Sequence, residues 1–164
     1  MKLLTVIGEI NESIRYTERP TVKVIIKSND KVLILNDGLL PGGGIDDGET
    51  NQQAITRELL EELGATVSNI QDIGQVTQYR NFLNREYKVY SYIAQFEAFT
   101  DIPTPQDASE AAFVYYWMTI DDALRYVTKS IAKIKENNPE VTDDTVQGAL
   151  YNRMTTLELL KTIR

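Results

Sequence analysis

One stretch constrains this chain more than any other. Pro41-Gly42-Gly43-Gly44 forbids regular structure, and from Thr50 to Leu63 an uninterrupted run of good helix formers leads up to Gly64. A helix must therefore begin shortly after a loop whose backbone can be approached closely, and end at a residue suited to a left-handed cap. With Glu58 set at zero and about 100° per residue, Glu61 falls roughly 60° to one side and Glu62 roughly 40° to the other. Ile55, Leu59, Leu60 and Leu63 centre roughly 120° to 140° away, so three carboxylates share one face, apart from the apolar one.

Carboxylates three and four residues apart repel by a few tenths of a kcal/mol per pair, so the cluster is unfavourable unless something offsets it. Arg57 can pair with Glu61 one turn on. A hard divalent cation does better, because Mg²⁺ and Mn²⁺ take oxygen ligands and a phosphate can complete the shell. The glycines upstream add exposed amides and carbonyls at the helix start, where a phosphate or a metal can approach. Taken alone, Glu-x-x-Glu-Glu is more simply a solvated acidic face.

The inventory narrows the chemistry. At 164 residues, 42% hydrophobic and 25% charged, the chain has the length and composition of one globular domain over residues 1–164. It contains no cysteine and no histidine, which removes disulfides, thiol catalysis, thiolate zinc and the usual neutral-pH base. Acid, base or metal chemistry falls to carboxylates, Lys, Tyr or backbone. A net charge of -7 and a pI near 4.7 argue against a nucleic-acid polymer as partner, while small anions remain accessible through local cations or a metal. The opening MKLLTVIGEI is too short for a secretory leader and no run approaches a membrane span, so a soluble, cytoplasmic protein without membrane contact is expected.

Along the chain, Thr21 to Ile26 and Lys31 to Leu35 read as two strands joined by a turn at Lys27 to Asp30. Leu3 to Ile7 with Ile14 to Tyr16 suggests a hairpin or edge strand. Ile70 to Thr77 and Tyr87 to Phe99 read as strands flanking a polar, aromatic loop at Tyr79-Arg80-Asn81-Phe82. Asp101 to Ser109 reads as a surface loop and Ala112 to Met118 as a last strand. A helix is expected from Thr119, with Asp122 three residues on, to about Asn137. A second spans Thr142 to Ile163, with Leu150, Met154, Leu157 and Leu160 near one face. These helices form a C-terminal extension over about residues 120–164; residues 1–17 and 130–164 carry no assignable motif.

The wider constellation runs Gly43, five residues, Glu49, seven residues, Arg57-Glu58-Leu59, one residue, Glu61-Glu62, one residue, Gly64. It resembles the signature of the Nudix hydrolase family, G-x5-E-x7-R-E-U-x-E-E-x-G-U with U a bulky aliphatic residue. Every fixed glycine and charged position matches, a coincidence on the order of 10⁻⁸ at a given start. The last position is Ala65 where an aliphatic residue is usual, a difference that bears on packing and not on metal chemistry. The resemblance covers about residues 41–65, the signature itself residues 43–65.

The resemblance implies a three-layer α/β/α sandwich of the α+β class, with a mixed β-sheet and the C-terminal helices as additions. It implies a Mg²⁺- or Mn²⁺-dependent hydrolase that cuts a diphosphate bond in a nucleoside diphosphate derivative by attack of a metal-activated water. Glu58, Glu61 and Glu62 are the implied metal ligands, with a Gly43 or Gly42 carbonyl as a further donor. Arg57 would orient these carboxylates, and Glu49 would hold Arg57 by a salt bridge. Without histidine the base must be a carboxylate; Glu58 or Glu61 could serve, family members also use a glutamate from a later loop, and Glu110, before the strand with Trp117, is the best placed for that role. Tyr79, Arg80 and Phe82 are candidates for the substrate loop, and between the signature and Pro103 there is no proline to suggest ADP-ribose. Two rival readings stand beside this one. The first is a Nudix-like sensor that binds a nucleotide without cutting it. The second is an interaction module whose apolar face on Thr142 to Ile163 pairs with another copy, as a homodimer, or with another partner, against the simpler expectation that the helices cover their own sheet.

Overall fold

In a computed structural model the chain is described over residues 1–100 and 114–164, so Glu110 and the expected loop at Asp101 to Ser109 lie outside the described residues. Six strands form one mixed sheet: β1 (Leu3–Ile7), β2 (Thr17–Ser28), β3 (Lys31–Leu35), β4 (Ala65–Arg80), β5 (Arg85–Phe99) and β6 (Tyr115–Thr119). Their spatial order is β1-β4-β5-β2-β3-β6. β1 runs parallel to β4 and β2 parallel to β5, while the β2–β3, β3–β6 and β4–β5 pairs are antiparallel. The helices are α1 (Asn51–Leu63), α2 (Ile120–Asn137) and α3 (Asp144–Thr162). Among the described residues no helix is long and apolar enough to cross a membrane.

The consecutive apolar residues of β2 and β3 follow from burial on both faces. Val22, Val24, Ile26, Leu33 and Leu35 meet Ala54, Ile55, Leu59 and Leu63 of α1. Ile25, Val32 and Ile34 point the other way, toward Ala123, Val127 and Ile131 of α2 and Leu150, Leu159 and Leu160 of α3. The sheet is thus a filling between α1 and the C-terminal pair, the three-layer arrangement expected. The apolar face of α3 covers the chain's own sheet.

Arg153 of α3, 8% exposed, ties these helices to the turn after β3. Its Nε donates to the Asp37 carbonyl at 2.7 Å and to Ser130 Oγ at 2.9 Å, and Nη1 donates to the Ala149 carbonyl at 2.7 Å. Arg153→Met keeps the aliphatic stem and loses these bonds. It should lower unfolding free energy by about 2 kcal/mol in a urea titration; an unchanged midpoint would remove the clamp role.

Several expected boundaries move. β4 begins directly at Ala65, because Gly64 (φ 61°) turns the chain straight from helix into sheet. It also continues through Tyr79 and Arg80, which were expected in a loop; Tyr79 pairs with Glu86 and Arg80 with Arg85, leaving only Asn81–Leu83 as the turn. β2 starts at Thr17 and extends to Ser28, so its turn to β3 shrinks to two residues, with Asn29 at φ 54°. Ile14 to Tyr16 is not a strand, and β1 stands alone as the sheet edge.

Candidate active site

The glycine loop is not loose. Where β3 diverges from β2, the loop takes its place: Val24 N–H donates to the Pro41 carbonyl at 3.0 Å, Val22 N–H to the Gly43 carbonyl at 2.9 Å, and Ile45 N–H to the Pro20 carbonyl at 3.1 Å. Such close pairing needs the missing side chains. At Gly42, with φ +118°, a Cβ would lie 2.3 Å from the Val22 carbonyl oxygen; at Gly43 it would lie 2.5 Å from Glu58 Oε1.

α1 starts with a full capping box, Thr50 and Gln53 each bonding the other's backbone, and this fixes the helix against the loop. Its acidic face is turned inward: Glu58, Glu61 and Glu62 are 6%, 9% and 8% exposed. That differs from a solvated acidic stripe. Arg57 gathers the surrounding charge, taking both oxygens of Glu49 at 2.9 Å in a bidentate pair. Its Nη1 reaches Glu58 at 2.7 Å and Glu61 at 3.2 Å, and its Nη2 donates to the Gly44 carbonyl at 2.8 Å. Glu62 Oε2 accepts from Gly42 N–H at 2.8 Å.

These contacts set the protonation balance. Burial pushes the Glu58 carboxyl up, and the Arg57 guanidinium and Lys23 act against that rise. The hydrogen bond from Arg57 holds Glu49 below the ordinary carboxylate value. Lys23, a lone cation in the apolar run of β2, donates to the carbonyls of Leu40 and Gly42. Burial lowers its pKa against the fields of Glu62 and Glu58.

Gly42, Gly43 and Gly44 also line a cleft of about 260 Å³ on the α3 side of the sheet. Arg19, Lys23 and Arg80 bring positive charge to it, and Gln78, Asn152 and Thr155 bring hydrogen-bonding groups. Of the residues expected to meet substrate, Arg80 lies here. Tyr79 points elsewhere, edge-on to Tyr16 with centroids 5.1 Å apart, and Phe82 is 49% exposed on the turn. The aromatic residue in the cleft is Tyr87, with the Arg80 guanidinium 4.1 Å over its ring. The period-two pattern Tyr87, Val89, Ser91 was its sequence signal. Asn152 and Thr155 had a weaker one, polar positions at helical spacing in a segment without a motif.

The donor set suits a hard cation: all oxygen, buried, and packed against a glycine that leaves room for nothing larger. Among the described residues no three carboxylates converge as a finished metal cage, since Arg57 spans Glu58 and Glu61 while Glu62 faces Gly42.

A mixed sheet between helical layers, with a glycine loop and an inward acidic helix at one end, defines the class of fold. Residues 17–143 match the model of the NUDIX domain, and the chain belongs to that family. Over 94 residues it is 35% identical to an RNA pyrophosphohydrolase of Helicobacter pylori, a match covering 47% of this chain and 57% of the relative. The chain therefore spans little more than half the length of that curated relative. Among solved structures, a NUDIX hydrolase from Nitrosomonas europaea superposes with a TM-score of 0.53 at 20% identity, over 85% of this chain and 90% of the other. The mMutator MutT protein of Bacillus halodurans gives a TM-score of 0.52 at 23% identity, over 66% and 72%. Both are likenesses of fold.

Proposed function

We propose that this chain hydrolyses a pyrophosphate bond in a nucleotide, with Mg²⁺ or Mn²⁺ as cofactor. The observation that carries this reading is the meeting of three buried carboxylates and a cationic cleft on the two sides of one glycine loop. Glu58, Glu61 and Glu62 would hold the ion, which when bound neutralises phosphate charge and lowers the pKa of water. Arg57 keeps Glu58 and Glu61 turned toward the loop, and Glu49 keeps Arg57 in place. The Gly43 carbonyl already accepts from Val22 and the Gly42 carbonyl from Lys23, so only a second lone pair of either is left for metal. Within the described residues Glu58 and Glu61 are the carboxylates that could serve as base. Lys23, Arg19 and Arg80 bind and orient the phosphates from the cleft side.

The test is a panel of nucleoside triphosphates, dinucleoside polyphosphates, nucleoside diphosphate sugars and ADP-ribose, assayed for monophosphate and phosphate release with Mg²⁺, Mn²⁺ or EDTA. An RNA with a 5′-triphosphate joins the panel because of the relative's name, although the chain's net charge of -7 favours small substrates. Hydrolysis should appear with at least one small nucleotide and fall by on the order of 10³-fold or more in EDTA. Saturable binding with no cleavage of any substrate would replace the hydrolase reading with that of a nucleotide sensor.

A further inference from the structure

Arg80 is 9% exposed, and its hydrogen-bond partners are neutral: Nε donates to Gln78 Oε1 at 2.9 Å and Nη2 to Asn152 Oδ1 at 2.6 Å. Among the described residues no ion pair joins it to a carboxylate; Asp144 acts on it only through its field. Burial pulls the guanidinium below its ordinary pKa, as befits a charge short of a counter-ion. Yet the side chain is not adrift. Gln78 Nε2 is itself fixed by Thr155 Oγ1 at 2.7 Å, so α3 holds the guanidinium through Asn152 directly and Thr155 at one remove. Gly148 makes room for it, since a Cβ there would come within 2.8 Å of Arg80 Nη1.

Among the described residues, the cleft that Arg80 shares with Lys23 and Arg19 has no Asp or Glu on its lining. Its roughly 260 Å³ is at or below the small end of ligand pockets, which begin at about 300 Å³, so it suits the phosphate end of a substrate better than a second nucleoside. Tyr87, covered by the guanidinium, offers less of its ring for stacking a base.

We propose that Arg80, positioned by α3, is the counter-ion site for a third phosphate, next to the two joined by the bond that is cut, so that the cleft selects chains longer than a diphosphate. Nucleoside diphosphate sugars, which lack that phosphate, are discriminated against. The selectivity for a substrate rests on the pyrophosphohydrolase reading; the binding of the phosphate chain does not.

Calorimetric titration of the full chain in EDTA separates the two. The probes are inorganic tripolyphosphate, a nucleoside triphosphate and a nucleoside diphosphate sugar; the first two distinguish the bare chain from the nucleotide as its source. The wild type should bind both polyphosphates about tenfold or more tightly than the sugar nucleotide. Arg80→Gln should lose that advantage, and Arg80→Lys should keep part of it. Gly148→Ala guards against misfolding as an explanation: alanine favours the helix, so thermal stability should hold or rise while the displaced guanidinium loses affinity. Equal affinities for the three probes, or polyphosphate binding unaltered in both Arg80→Gln and Gly148→Ala, would overturn the proposal. Arg80-dependent binding without any turnover would instead count against the hydrolase reading alone.

Discussion

Replacing Glu58 with glutamine is expected to cut turnover by on the order of 10³-fold, about 4 kcal/mol of transition-state stabilisation, while leaving the fold intact. The amide has the shape of the carboxylate and can still accept from Arg57 Nη1, but it is a poor ligand for a hard cation and cannot serve as a base. Stability should move the other way from activity. Burial raises the Glu58 pKa in the folded state above its ordinary value of 4.5, so the folded chain binds that proton more tightly than the unfolded chain does. In EDTA the wild type should therefore lose stability relative to the variant as pH rises above about 4.5, and the two should converge below it. Thermal melts across pH, run beside the kinetic assay, check both halves. A variant that melts normally and turns over like wild type would remove Glu58 from the mechanism.

Gly42→Ala should be the most damaging single methyl in the molecule. The new Cβ would sit 2.3 Å from the Val22 carbonyl oxygen, a backbone atom of a buried central strand that cannot swing aside, at a φ of +118° that L-residues avoid. Relief requires moving the loop, and with it the N–H that holds Glu62 Oε2 at 2.8 Å. A loss of about 3 kcal/mol is expected, or roughly 10 °C in melting temperature for a chain of this size, together with most of the activity. A wild-type melt and rate would mean that the loop pairs with β2 less closely than described.

Much of this was legible in the residues because local physics dictated it. Helix α1 announces itself through the Thr50 cap, unbroken helix formers and Gly64, and the grouping of its three carboxylates on one face follows from its period, though their burial does not. The apolar runs of β2 and β3 forecast strands, and two-sided burial explains why they do not alternate. What the chain did not disclose is non-local. Nothing near Pro41 says that the glycines dock along Val22 and Val24, and nothing near Arg80 says that its partners are some seventy residues on, at Asn152 and, through Gln78, Thr155. Both depend on which strand ends up beside which. Lys23 did offer a signal, as the single charge between Val22 and Val24, in a run otherwise suited to a core.

The pairing of the glycine loop with β2 bears on how the site can move. Its hydrogen bonds are made to the strand that also pairs with β5 and sends side chains into both cores. Peeling the loop away would break these bonds and bare the buried edge of β2, so opening the carboxylate site this way is costly. On the proposed hydrolase reading, substrate exchange would fall to the outer boundary of the cleft, at the exposed Arg19 and the polar edge of α3, while the glycine loop stays still.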